Sequence, residues 1–434
     1  MITLVSLALS ALVAFASSAE RVAPVPTRSP PSNGPRLVTR ASIAPTSARV
    51  FEGSSLRLRA AFAGSAGGAI AWSLIGPGTI AQDGTYSAPR TPGLQAIVVA
   101  TAGGTSVASA VMVVAPPAPD LPVAYVACYD DGTLDVRDAS TFDDIGTTST
   151  GDTAASVVSD ARTHVAVVAA ASRIGIFDAP KGTTTFSAPV AGARFSELAM
   201  LANGYVAATD NQASAGQDGV RIFGPIARGP ALALAASAPT GDTPEGIAAS
   251  TDGRTFYVTN VNSNSVMRFS FDGRGAARLT GAAVTGHRPF GVAIDDVRRL
   301  LFVADNDTPT LSGTSSQPGL EIFALPSMKL VRRVTTGSAN ALPLGVAVDS
   351  AADRLFVTNE GDGDVAAYSI APFKRIATLS AGRTPWLPSI DGIRGALLVP
   401  NAGDDTLSVF DIRTLRPIAS AMQTCGYPTA AAAR

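Results

Sequence analysis

Gly241-Asp242-Thr243-Pro244 opens, and Tyr257-Val258-Thr259-Asn260 closes, the stretch whose reading decides the fold. Val258 lies 14 residues after Pro244, and the same interval separates Pro289 from Val303, Pro343 from Val357 and Pro385 from Val399. Gly-x-x-Pro turns recur at Gly286–Pro289 and Gly382–Pro385, and with three extra residues between Gly337 and Pro343. A second register runs apolar-x-apolar-aromatic, with its copies starting at Leu134, Ile174, Val220, Val266, Leu320, Val365 and Leu407. These seven copies are spaced 40 to 54 residues apart. A period in the forties with four short strands per unit is the signature of a β-propeller. The fold expected is all-β, with a seven-bladed propeller over residues 121–434.

The strand Tyr257–Asn260, its relatives Phe356-Val357-Thr358-Asn359 and Phe302-Val303-Ala304-Asp305, and the Gly-x-x-Pro turns resemble the YVTN family of β-propeller repeats. That family occurs in exported and surface-associated proteins. The first three repeats depart from it, with Ala154 and Phe195 where the turn proline belongs and Ala170 at the Asn position. In the family's strand order the strand after Gly-x-x-Pro is innermost. The resemblance therefore implies that Val123–Val126 enters as a second strand and Pro428–Ala431 ends the chain as a first strand. The two would pair and close the ring, removing two exposed edges. The two cysteines of the chain, Cys128 and Cys425, then fall side by side. In an oxidising compartment they form a disulfide worth ~4 kcal/mol; the alternative is a pair of free buried thiols.

Ahead of the propeller, residues 1–19 are apolar and small and end on Ser17-Ser18-Ala19, which reads as a signal peptide. An uncut N-terminal anchor is the alternative. Residues 20–36 carry five prolines and read as a semi-extended linker. Over 37–115 the pattern turns strand-like, with Trp72-Ser73, Gly84-Thr85-Tyr86-Ser87-Ala88-Pro89 and a Val-rich segment from Val107 to Val114. These features resemble a bacterial immunoglobulin-like β-sandwich, in which Trp72 is a core residue. Residues 116–120 form a second linker.

Composition narrows the function. A formal net charge of −1 and no basic run leave no electrostatic case for nucleic acid. Mean hydropathy is positive, yet beyond the N-terminus no apolar run approaches the ~20 residues of a membrane span. With two histidines and two cysteines there is little material for His-dependent nucleophilic catalysis, and no haem-attachment motif, nucleophile elbow or P-loop occurs.

Two sets of loops are expected to gather on one face of the propeller. The Gly-x-x-Pro loops bring Glu245, His287, Arg288, Arg383 and Trp386. The loops after the second strands bring Asn260, Asn262, Asp305, Asn359, Glu360 and Asn401, and two of them, Asp210–Gly219 and Thr308–Gly319, are long. Long loops on a rigid scaffold are where ligands bind. The Asn and Asp residues after each strand also suit Asx turns, a purely structural use. As hard oxygen donors Asp305, Asp307 and Asp362 could instead hold Ca²⁺ or Mg²⁺, although the leading reading needs no cofactor. That reading is an exported, non-enzymatic protein, periplasmic, secreted or on the cell surface. It presents its mouth to a protein, glycan or small-molecule partner, with no nucleic acid and no membrane span once the signal is removed. The second reading is a metal-assisted lactonase or lyase in which Glu245 and His287 move the proton.

Overall fold

Apolar runs separated by Gly, Pro and Asx turns fold as β-strands throughout the computed structural model, which describes residues 41–62, 69–160, 165–211, 218–226, 232–307 and 318–433. The expected signal segment, the linker at 20–36, His164 and most of both long loop insertions lie outside these residues. All described residues belong to one compact unit, Leu37–Arg434.

Among the described residues, six separate four-stranded antiparallel sheets follow one another along the chain. A seventh set of four is built from both ends of the repeat region, with Pro428–Ala433 pairing antiparallel to Val123–Cys128, followed by Thr133–Asp138 and Asp144–Ser149. We number this set sheet 1 and the others sheets 2 to 7 in chain order. Their first strands are Ala154–Asp160, Phe195–Met200, Pro244–Ala249, Pro289–Asp295, Pro343–Asp349 and Ser389–Asp391. Each first strand lies against that of the next sheet, and Ser389–Asp391 lies against Pro428–Ala433, so the ring is closed. This is a β-propeller arrangement. The ring closure is clasped by a disulfide between Cys128 and Cys425, with Cα atoms 5.7 Å apart.

The recurrent residues of the repeat have distinct mechanical jobs. Thr259 Oγ1 accepts the Gly246 amide (3.0 Å) of its own sheet and donates to the Phe290 carbonyl (2.5 Å) of the next. Thr358 does the same between Gly345 (2.8 Å) and Trp386 (2.8 Å), and Thr209 between Glu197 (2.9 Å) and Glu245 (2.8 Å). The threonine thus stitches neighbouring inner strands together. The stitch demands close approach: a Cβ on Gly246 would strike the Phe290 carbonyl oxygen, and one on Gly345 would strike Pro388. In sheets 4 and 7 the following Asn latches the turn. Asn260 Oδ1 accepts the Gly241 amide and Asn401 Oδ1 the Gly382 amide, both at 3.0 Å.

The turns themselves are strained. The residue before each turn proline is left-handed: Thr243, Arg288, Leu342, Thr384 and Tyr427 have φ between 49° and 56°. Residues before proline avoid helical backbone, so this conformation persists because the hydrogen bonds around each turn hold it, the Asn latch in sheets 4 and 7 and Glu321 in sheet 5 among them.

The N-terminal unit is joined to the propeller more intimately than a linker implies. Ser47–Phe51 pairs in parallel with Asp144–Ser149 through Val50 and Thr147, making sheet 1 part of an eight-stranded sheet that continues through Thr105–Val114 and Gln95–Ala102 to Ala71–Ile75. Phe51 is fully buried and stacks on Phe177 of sheet 2 at 5.9 Å. Ser54 Oγ donates to the Gly182 carbonyl at 2.9 Å. The unit's own core is Val50, Leu56, Leu58, Tyr86, Val98, Val111 and Val113, with Trp72 packed at its margin.

Candidate functional site at the propeller mouth

The strained turns deliver side chains to the centre of the ring. On one side is an arc of aromatic rings. Tyr129 lies 6.3 Å from Tyr427, Tyr427 5.7 Å from Trp386, and Trp386 6.0 Å from Phe290, all edge-to-face. Phe290 and Trp386 come from sheets 5 and 7, so this contact spans the intervening sheet. On the other side Arg194 Nη2 donates to Tyr129 Oη at 3.3 Å, reaching from sheet 3 to sheet 1. Contacts that skip a sheet place these residues at the convergence point.

The polar arc continues from Arg194 through Ser196, Glu197 and Glu245. Glu245 is 8% exposed. Its Oε2 accepts the Ser196 hydroxyl, and its Oε1 accepts Asn211 Nδ2 at 2.6 Å. Burial raises its carboxyl above the usual range, while those two hydrogen bonds and the Arg194 and Arg288 guanidiniums oppose the rise. Glu197 is partly accessible, and its Oε2 accepts the Ile247 amide at 2.7 Å. Removal from bulk water pushes its pKa up to about 8; the amide bond opposes this and the neighbouring Glu245 adds to it. Arg288, half-buried in its left-handed turn, closes the circle between Phe290 and Glu245, and its Nε is buried without a hydrogen-bond partner.

Of the residues expected from sequence, Glu245, Arg288 and Trp386 meet at this mouth. His287 is half-buried beside Arg288 and makes no hydrogen bond among the described residues; nothing brings it to Glu245. Asn260, Asn359 and Asn401 are fully buried. Asn359 Nδ2 donates to the Thr336 carbonyl (3.2 Å) and to Asp364 (2.6 Å). Asn401 Nδ2 donates to Thr406 and Ser408, both at 3.0 Å. These amides face turns rather than the mouth. Asn262 is exposed, donating to Thr243 Oγ1 at 2.8 Å, and Glu360 Oε2 meets Asn306 Nδ2 at 3.5 Å. Arg383 is exposed and paired with Asp404. Asp362 is exposed and closes a turn on Ser338, apart from Asp305 and Asp307.

Sequence reasoning missed Arg194, Ser196, Glu197, Tyr129, Phe290 and Tyr427. Glu197 and Ser196 follow Phe195, at a turn with no proline, and so carried no repeat signal. Phe290 and Tyr427 flank turn prolines and could have been read from the Trp386 register.

No protein-family profile matches the chain, and no curated protein does. Solved structures do resemble it. A candidate 6-phosphogluconolactonase from Bacteroides fragilis is 13% identical, with a TM-score of 0.60 over 74% of this chain and 99% of that one. The periplasmic gluconolactonase of Pseudomonas aeruginosa is 14% identical, with a TM-score of 0.58 over 72% and 99%. A protein from Lactobacillus plantarum is also 14% identical, at 0.60 over 72% and 99%. These likenesses identify the fold class as the propeller class.

Proposed function

We propose that the chain is an exported seven-bladed propeller with an immunoglobulin-like N-terminal unit, and that its mouth binds a small ligand or a partner's side chain without transforming it. The observation that carries this reading is the state of the mouth's polar groups. Glu245 is held by Ser196 and Asn211, which makes it a fixed acceptor rather than a mobile base. Arg288 Nε is a buried donor with no partner, an arrangement completed by a ligand oxygen. The aromatic arc opposite supplies the apolar wall of a mixed binding site. Arg288→Ala removes the waiting donor and should weaken binding about tenfold, for roughly 1.5 kcal/mol. Calorimetric titration of the mature protein with sugars, sugar acids and envelope extracts tests this. A hit whose affinity is indifferent to Arg288→Ala and Glu245→Gln would place the site elsewhere.

The second reading, hydrolysis of a lactone, draws on one observation. Glu197 and Glu245 form a carboxyl pair in which one member holds its proton near neutrality, as proton-transfer sites do. Two of the similar folds belong to proteins named for lactone hydrolysis. Acid release from δ-lactones, followed at constant pH, decides between the readings: turnover abolished by Glu197→Gln makes the chain an enzyme.

A further inference from the structure

We propose that Asp305 and Asp307, at the end of the second strand of sheet 5, hold a calcium ion. The case starts from what the equivalent position does elsewhere. In sheets 4 and 7 the residue is Asn, and its side chain accepts the turn amide of Gly241 or Gly382. In sheet 3 it is Asp210, which accepts the Arg194 amide at 2.9 Å and pairs with Arg221 at 2.9 Å. In sheet 5 the turn amide, that of Gly286, goes to Glu321 Oε2 instead, at 2.9 Å. Asp305 has thereby lost its partner. It is 2% exposed, and neither of its oxygens accepts a hydrogen bond. Its one contact with a cation is Arg333 Nη2 at 3.7 Å, and Arg333 is committed to Glu321. Asp307 is 1% exposed, and both of its oxygens are also without a hydrogen bond.

Asp305 and Glu321 therefore share one guanidinium, which is committed to Glu321, and Asp307 has no hydrogen bond at either oxygen. Ionised carboxylates buried without partners are among the most costly groups a fold can carry. A cation removes the cost. The donors at hand are oxygens only, which selects a hard ion over a transition metal. Among the described residues no three His, Cys, Asp or Glu side chains converge as a metal cage. Calcium tolerates this, since backbone carbonyls and waters fill out its irregular shell, whereas magnesium requires near-octahedral geometry. The ion would also brace the mouth. Asn306, between the two aspartates, donates its amide to the Arg288 carbonyl (2.9 Å) and its side chain to the Leu342 carbonyl (3.3 Å). Those are the left-handed residues of two adjacent turns.

The competing account is that burial leaves Asp305 protonated and no cation binds, and the two accounts predict opposite signs. Mature protein stripped with chelator is titrated with CaCl2 by calorimetry and assayed for bound metal after dialysis. The melting temperature is followed in parallel, with NaCl at matched ionic strength as control. The expected result is one calcium per chain, a melting temperature that climbs with free calcium, and loss of both in Asp307→Asn. Asp362→Asn should keep them. The proposal is overturned if the wild-type chain takes up no calcium at millimolar concentration. It is also overturned if Asp307→Asn, by deleting an uncompensated charge, melts higher than wild type in the presence of calcium. Should Asp307→Asn fail to fold, the stoichiometry of the wild-type chain decides alone.

Discussion

Asn401 and Glu197 show how differently two polar side chains, one buried and one partly accessible, can bear on the same fold. Asn401 has no freedom left: one oxygen and one nitrogen serve Gly382, Thr406 and Ser408. Asn401→Ala strands a turn amide and two hydroxyls, and should cost roughly 2–3 kcal/mol, read as a lower denaturant midpoint with an unchanged slope. Glu197 instead works against the fold at high pH. Burial pushes its folded pKa up to about 8, above the ordinary glutamate value of 4.5. The folded state therefore binds more protons than the unfolded state between those values. The neutral carboxyl's advantage is fully present below about 4.5 and is lost as pH rises toward 8. A melting series across that window should show wild type falling more steeply than Glu197→Gln, with the two closest at the acid end. Parallel curves would mean that Glu197 ionises normally.

At the scale of strands and turns, much of the architecture was legible because it is repetitive. A turn proline and a Val 14 residues later occur in four repeats, three of them with a Gly-x-x-Pro turn, and the structure pairs all four prolines with the same strand-end position. The pairing of Pro428–Ala433 with Val123–Cys128, and the disulfide beside it, matches the ring closure that the family resemblance implied. The polar mouth was less legible. Asn260 and Asn401 suit either a ligand or an Asx turn in a sequence, and in the structure their amides are buried and consumed by the turns they close. The left-handed backbone at Arg288 has no sequence marker, since proline normally forbids it. The union of the strands over 41–114 with the propeller was not legible either, because a single parallel register between Val50 and Thr147 leaves no pattern. Phe51 is its test. Phe51→Ala removes a fully buried ring and its stack on Phe177, which should cost about 3–5 kcal/mol. It should also hasten proteolysis between Ala115 and Pro119. Equal cleavage rates in mutant and wild type would show that the junction is held by the sheet rather than by the ring.

For the molecule as a whole the decisive question is how a closed ring avoids opening. Strand against strand, each four-stranded sheet packs chiefly on its two neighbours, and only side chains at the mouth reach past them, so the ring is as stable as its weakest seam. Sheet 1 is the one sheet assembled from distant segments, and its strands must meet across a separation of 297 residues. Closing so long a loop is entropically expensive in the unfolded chain, and the Cys128–Cys425 bond removes that expense by roughly 4 kcal/mol. Thr429 adds local support, its hydroxyl lying 2.9 Å from the Ala155 carbonyl of sheet 2. If the seam is the weak point, Cys128→Ser with Cys425→Ser should do more than lower the midpoint. Hydrogen exchange should quicken first in Val123–Cys128 and Pro428–Ala433, while Tyr257–Asn260 on the far side of the ring stays protected until global unfolding. Uniform loss of protection would show instead that the propeller opens as one cooperative body, and that the disulfide acts only through the unfolded chain.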